Sequence, residues 1–261
     1  DAGDGICTPM ECTLREAILE ANANAGADTI VFGLPPGDTT ILPAAQLPAL
    51  SGPVVIDGST QAGYSGSPLV VLDGTSAGPG SFGLWATGGS STIRALRIVR
   101  FGGAGIILSG GVGSVAGNQI GTDLAGADLG NGGAGISVNG GESSTIGGDT
   151  ALDRNVISGN GTDRNSHPGI MVGSAAAAVS IRGNYIGVNP AGTAAVPNAS
   201  YGIWVYGPSA AIDDNVVSGN VAGGIALNGS GGAVRGTRIG TSADGSAAIP
   251  NQGSGIQIGS T

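Results

Sequence analysis

Lysine is absent from these 261 residues, and all nine cationic side chains are arginine. A lyase that uses a lysine base is therefore excluded, because no residue can supply that base. Charged residues make up 10% of the chain against a usual ~25%, and aromatics only 3%. The net charge is −9 and no basic run occurs, which argues against a nucleic-acid partner, since phosphate contacts need clustered cations. No apolar run approaches the ~18 residues of a transmembrane helix, so no such segment is expected. Cysteine occurs twice, at Cys7 and Cys12. An exported protein would pair them and a cytosolic one would leave them free. The chain begins at Asp1, without an initiator Met or signal peptide, which reads as a processed or partial product. No metal or cofactor motif stands out, and neither is expected.

What is present is glycine, 53 residues of 261, well above the usual ~7%. Yet 40% of the chain is hydrophobic, too much for simple disorder. Many turns between short buried strands reconcile the two. One segment has helical periodicity. In ECTLREAILEAN, Thr13 and Glu16 form a capping box, and Leu14, Ala17, Ile18 and Ala21 make one apolar stripe. A helix is predicted over about 13–23, with Gly26 as its stop. Short strands are then predicted at Thr29–Phe32, Thr39–Leu42, Val54–Asp57 and Leu69–Asp73, with prolines beside them.

From Gly83 a Gly-Ile or Gly-Leu step recurs, with its apolar residue at Leu84, Ile106, Ile136, Ile170, Ile203, Ile225 and Ile256. A second series follows each step: Ile98, Ile120, Ile157, Ile186, Val217 and Ile239. Ile93–Leu108 and Ile212–Leu227 align without a gap, whereas the longer coils carry the loops IGTDLAGADLGN, IGVNPAGTAAVPN and IGTSADGSAAIPN. A period of roughly 20 to 35 residues marks a solenoid. An internal period of two makes it a solenoid of strands. The expected fold is all-β: a right-handed parallel β-helix with three strands per coil and an N-terminal capping α-helix. Its organisation is expected to be one domain, 1–261, with a cap over 1–28 and stacked coils over 29–261.

CTLREAI, Cys12 to Ile18, after DAGDGIC resembles the N-terminal motif of bacterial exported proteins named for the sequence Cys-Ser-Leu-Arg-Glu-Ala, with Thr13 in place of the usual Ser. Later SGN and GNxIGT elements resemble the repeats of that family over residues 93 to 259. The resemblance implies export to the cell surface or medium, a Cys7–Cys12 bridge and a helix plugging the first coil. It implies no set of catalytic residues.

Stacking turns equivalent positions into columns. Outward on the Gly-Ile strand stand Trp85, Ile107, Ser137, Met171, Trp204, Ala226 and Gln257. The large apolar members, Trp85, Ile107, Met171 and Trp204, are candidates for stacking a sugar or burying a protein partner. A second strand carries Asn118, Asn155, Asn184 and Asn215, then Thr237. These read as a structural ladder at a turn, where Asn tolerates the left-handed conformation and can bond its own copy. Asn160 and Asn220 read the same way. Two residues earlier stand Arg182, Asp213 and Arg235, expected to alternate in sign as a solvated ion-pair ladder.

The enzymatic alternative would use Asp213, Asp214, His167, Arg182 and Arg235, the arginines clamping a sugar acid and His167 acting as base beside Asp163 and Arg164. Asp213-Asp214 resembles the paired Asp of pectin-hydrolysing β-helices, whose Gly-His-Gly and Arg-Ile-Lys signatures are missing. Asp57, Asp73, Asp123 and Asp244 are candidate calcium ligands without the dense Asp repeat of calcium-binding solenoids. Asn160, Asn198 and Asn228 begin glycosylation sequons. The leading expectation is an exported structural or adhesive protein. Its partners would be its own copies, stacked head to tail as a filament, or a cell-surface glycan or protein. The alternatives are a carbohydrate-active enzyme on acidic polysaccharide and a passive glycan binder.

Overall fold

The computed structural model of the chain describes residues 12–161 and 167–259. The helix opens it. Leu14–Ala23 is capped by Thr13, whose Oγ1 accepts from the Glu16 amide while the Glu16 carboxylate accepts from the Thr13 amide at 2.7 Å. Leu14, Ile18 and Ala21 are buried against the first coil. Arg15 donates to the carbonyls of Ala45 and Gln46, and Asn22 bonds both Ala49 and Ser51. The helix is thus fastened by side chains as well as packing. It ends at Ala23, as expected, with Asn24 donating back to the Glu20 carbonyl, three residues before Gly26.

Three parallel sheets follow, wound so that each coil contributes one strand to each. Sheet A contains Asp28–Val31, Val54–Asp57, Ser90–Arg94, Val112–Ala116, Thr145–Gly147, Ser180–Arg182, Ala211–Asp213 and Ala233–Arg235. Sheet B contains Thr40–Ile41, Val70–Asp73, Leu96–Val99, Gln119–Ile120, Val156–Ile157, Tyr185–Ile186, Val216–Val217 and Arg238–Ile239. Sheet C contains the Gly-Ile strands: Leu84–Ala86, Ile106–Leu108, Ile136–Val138, Ile170–Val172, Tyr201–Val205, Gly223–Leu227 and Ile256–Ile258. Every strand pairing between coils is parallel. The fold is the parallel β-helix the repeat predicts. The expected early strands appear with bounds shifted by a residue or two.

The core is columnar. Ile56, Ile93, Val115, Ile146, Ile181 and Ile212 stack on sheet A, and Leu72, Ile98, Ile120, Ile157, Ile186 and Val217 on sheet B. With the inward pairs of sheet C they form one buried cluster that begins at helix residue Leu14. β-Branched residues suit this arrangement, since each packs against its equivalent in the next coil at strand spacing.

The glycine of the Gly-Ile step has a packing cause. A Cβ on Gly135 would lie 2.5 Å from Ile157 Cγ2 and 2.8 Å from the Gly169 carbonyl. Gly83, Gly105, Gly202 and Gly224 meet the same two kinds of neighbour, the next coil's glycine carbonyl and a sheet B aliphatic side chain. Any side chain here would push the coils apart.

Two amide ladders fix the corners of sheet B. At the A–B corner, Nδ2 of Asn118, Asn155 and Asn184 donates to Oδ1 of Asn155, Asn184 and Asn215 at 3.1, 2.9 and 3.0 Å. Thr237 continues the ladder by accepting from the Asn215 amide. The left-handed residue is not the Asn, as the sequence reading has it, but its predecessor: Gly117, Gly183, Asp214 and Gly236 have positive φ. The Asn side chain closes the turn, and the residue before it makes the turn. At the B–C corner a second ladder runs Asn131, Asn160, Asn198, Asn220, Asn251. Of these, sequence reasoning placed only Asn160 and Asn220. Asn131, Asn198 and Asn251 end the inserted loops and return to the same position as the Asn of SGN.

The earliest coils lack these Asn residues and use acidic turns instead. Asp57 accepts from the Ser59 amide and pairs with Arg94 of the next sheet A strand at 2.6 Å. Asp73 accepts from the Thr75 amide and pairs with Arg100. Burial alone would raise both carboxyls. The guanidinium and hydroxyl hydrogen bonds outweigh it and hold both below the usual carboxylate range. These two residues act as corner staples between successive coils. Asp123 and Asp244 are likewise bonded within their own loops.

Candidate functional site

Period two puts every second residue of sheet C outside. The outward column is as the sequence predicts: Trp85, Ile107, Ser137, Met171, Trp204, Ala226 and Gln257 are register partners from coil to coil. Its members differ in access. Trp85 is exposed, meets Phe82 edge-on and donates from Nε1 to Ser109 Oγ at 2.9 Å. Ile107 is 7% exposed, which removes it as a surface contact. Met171 and Trp204 are half-buried.

Two residues the sequence reading passed over complete the face. Tyr206 stacks on Trp204 with ring centroids 5.2 Å apart at 24°, and Tyr201 leans on the other side at 5.3 Å. Tyr206 is outward because it lies two residues beyond Trp204, a signal present in YGIWVY. Tyr201 donates from its hydroxyl to Gln257 Oε1 at 2.5 Å, tying the cluster to a coil two steps away. Tyr206 remains 41% exposed. The result is a rigid aromatic platform on a flat sheet.

The polar candidates lie elsewhere: Arg182, Asp213, Asp214 and Arg235 gather at the A–B corner, and His167 stands apart from them. Arg182, Asp213 and Arg235 are in register at the A–B corner, but Arg182 does not pair with Asp213 among the described residues. It bridges Asp149 at 2.7 Å and Asp214 at 3.2 Å, while Arg235 approaches Asp213 at 3.8 Å. The expected alternating ladder is thus split. Asp149 comes from a loop, 148–154, that interrupts this coil where the neighbouring coils turn within a few residues, so it competes for the guanidinium.

Asp214 has φ of 57°, which turns its side chain away from that of Asp213. His167 lies at the B–C corner, between Asn160 and the Ile170–Val172 strand, with its carbonyl against Gly161. The two aspartates and the histidine are therefore on different corners of the coil. Asp163 and Arg164, its expected neighbours, lie outside the described residues, as does Cys7 and with it the Cys7–Cys12 pairing. Of the sequons, Asn160 and Asn198 are fully buried in the ladder, so their amides are inaccessible to glycosylation in the folded chain. Among the described residues no helix is long and apolar enough to cross a membrane, and no cluster of three metal-ligating side chains occurs.

No curated protein matches the chain significantly. The model of the right-handed beta helix region matches residues 81–258, from the coil that carries Trp85 to the last strand of sheet C. With that match and the three stacked parallel sheets, the chain belongs to the right-handed β-helix family.

Proposed function

We propose that this chain is an exported structural and adhesive β-helix that holds a surface glycan or protein against the outer face of sheet C without turning it over. The observation that carries the reading is the Tyr201–Trp204–Tyr206 platform with Met171 beside it. Flat aromatic faces match the C–H faces of a sugar or the apolar centre of a protein interface, and a single large aromatic buries about 150–250 Å². The platform is preorganised by stacking and by the Tyr201–Gln257 bond, so little side-chain entropy remains to be lost on binding. The distribution of polar groups favours holding over turnover, since His167 lies at the B–C corner, away from Arg182, Asp213 and Asp214 at the A–B corner, and the carboxylates are engaged by arginines. Export rests on the resemblance of Cys12–Ile18 to the surface-protein motif.

The test is oligosaccharide binding followed by tryptophan fluorescence and NMR. Trp204→Ala and Tyr206→Ala should each weaken binding by roughly tenfold or more, the loss of a stacked aromatic contact, with unchanged circular dichroism. Light scattering on the same samples identifies self-association as the alternative use of the face. Unchanged affinity in Trp204→Ala, or turnover of a uronate substrate abolished by His167→Ala or Asp213→Ala, would overturn the proposal.

A further inference from the structure

The outer face of sheet B carries a groove that the sequence columns do not reveal. Its floor is Tyr185 and Val216, successive residues of the outward column Val156, Tyr185, Val216, Arg238. One wall is the loop 148–154 with the Asp149–Arg182–Asp214 bridge. On the other side, Ala243 of the last inserted loop bonds Gly192 of the one before it, and both pack beside Tyr185. The enclosed volume is about 350 Å³, within the ~300–1,000 Å³ of small-ligand sites.

Three of the nine arginines line this groove: Arg154, Arg182 and Arg238. Arg182 is neutralised by its two carboxylates. The other two are not, and neither has a carboxylate partner among the described residues. Arg154 is held in place by the Tyr185 ring, 4.2 Å from its guanidinium carbon, and by the Gly183 carbonyl. Arg238 is exposed at the far end. Tyr185, under Arg154, to Arg238 is two coil steps, roughly 10 Å at strand spacing. The chain as a whole carries −9 and repels anions at long range. Arg154 over Tyr185 and Arg238 at the exposed end, both without a carboxylate partner among the described residues, therefore mark a local preference against the general field.

We propose that this groove binds an elongated anionic ligand of about disaccharide size, bearing carboxylate or sulfate groups, lying along the solenoid axis with Arg154 and Arg238 as its anion contacts. Arginine suits the task because its planar donors match carboxylate and sulfate oxygens in pairs. The site is separate from the sheet C platform and does not depend on it.

Calorimetric titration of the whole chain with digalacturonate, a sulfated disaccharide and neutral maltose tests the proposal and separates carboxylate from sulfate. Binding of at least one anionic probe, without maltose binding, is expected. Arg154→Gln and Arg238→Gln should each weaken it by roughly tenfold, the loss of one charge-assisted contact. Arg235→Gln, outside the groove, and Trp204→Ala, on sheet C, should leave it unchanged. Raising salt should weaken binding in the native chain more than in Arg238→Gln. No binding of either anion up to about 10 mM, equal binding of maltose, or native affinity in both groove variants would overturn it.

Discussion

Replacing Asn184 by Ala removes one rung from the middle of the A–B ladder. The Asn184 amide nitrogen donates to the carbonyls of Ile146 and Arg182 and to Asn215 Oδ1, at 2.9, 3.0 and 3.0 Å. Its oxygen accepts from the Asn155 backbone amide at 3.2 Å and from Asn155 Nδ2 at 2.9 Å. Some of these partners have a second bond. The Arg182 carbonyl still accepts from the Gly148 amide, and Asn155 Nδ2 still donates to the Val115 carbonyl. The Ile146 carbonyl stays in the sheet A ladder opposite Ser180–Arg182. The Asn155 amide loses its partner in a site with no solvent access, since Asn155 and Asn184 are fully buried. At about 1–3 kcal/mol for a buried group left unmade, the variant should lose roughly that amount. Asn24→Ala, at an exposed Asn outside both ladders whose side chain makes no hydrogen bond among the described residues, should stay within ~0.5 kcal/mol.

Asn184→Asp sharpens the test. It keeps an acceptor for Asn155 but sets a carboxylate oxygen against two carbonyls, so its folded-state pKa must rise above the unfolded ~3.9. Its penalty should then grow as pH increases from 4 to 7, whereas that of Asn184→Ala should not. Urea denaturation at both pH values gives the energies, and hydrogen exchange at the Asn155 amide gives the local opening. A cost below about 1 kcal/mol for Asn184→Ala, or one equal to the Asn24→Ala control, would refute the reasoning that buried amide stacking holds this corner.

Gly135→Ala should destabilise the chain by about 1–3 kcal/mol through overpacking, because the added carbon meets Ile157 and the Gly169 carbonyl. Thermal melting is the readout, and a neutral effect would show that adjacent coils can separate at no cost. Acid should weaken the early coils in particular. The Asp57 and Asp73 carboxyls are held low in the folded chain, so their contribution is complete above the unfolded pKa of ~3.9 and is lost as pH falls below it. Asp244, lowered to about 2 by its bonds to Ser242 and Ser246, loses its share between those two values. Melting temperature against pH should fall below about pH 4, and Asp57→Asn should flatten part of that fall. An identical profile in Asp57→Asn would remove Asp57 from the account.

The coils and their register were legible because period-two strands and recurring Gly-Ile steps are written locally, in residues that face the core. Every core column drawn from Ile106, Ile136 and Ile170 is a column of sheet C. The first Asn ladder was legible for the same reason, since Asn118, Asn155, Asn184 and Asn215 each stand two residues before the sheet B core residue of their coil. The second was half hidden because inserted loops change the spacing: Asn160 lies three residues after Ile157, but Asn198 lies twelve after Ile186. Only the hydrogen bonds show that both occupy the same place.

What the sequence could not show is where long polar side chains settle, because that depends on loops that obey no period. Arg182 and Asp213 are in register, and a column argument pairs them. The loop 148–154 brings in Asp149, while the left-handed turn at Asp214 presents a nearer carboxylate. The same interruption raises one wall of the sheet B groove, and the inserted loops raise the other. Both elements are departures from the repeat. In a solenoid the regular residues make the scaffold and are interchangeable along it, so a site of defined length can exist only where the repeat is broken. Arg154, at the end of the interrupting loop, and Arg238, on the last sheet B strand beside an inserted loop, are therefore where ligand selectivity in this chain would be written. The aromatic platform on sheet C, made of in-register strand residues, would set affinity for a surface more than choice among ligands.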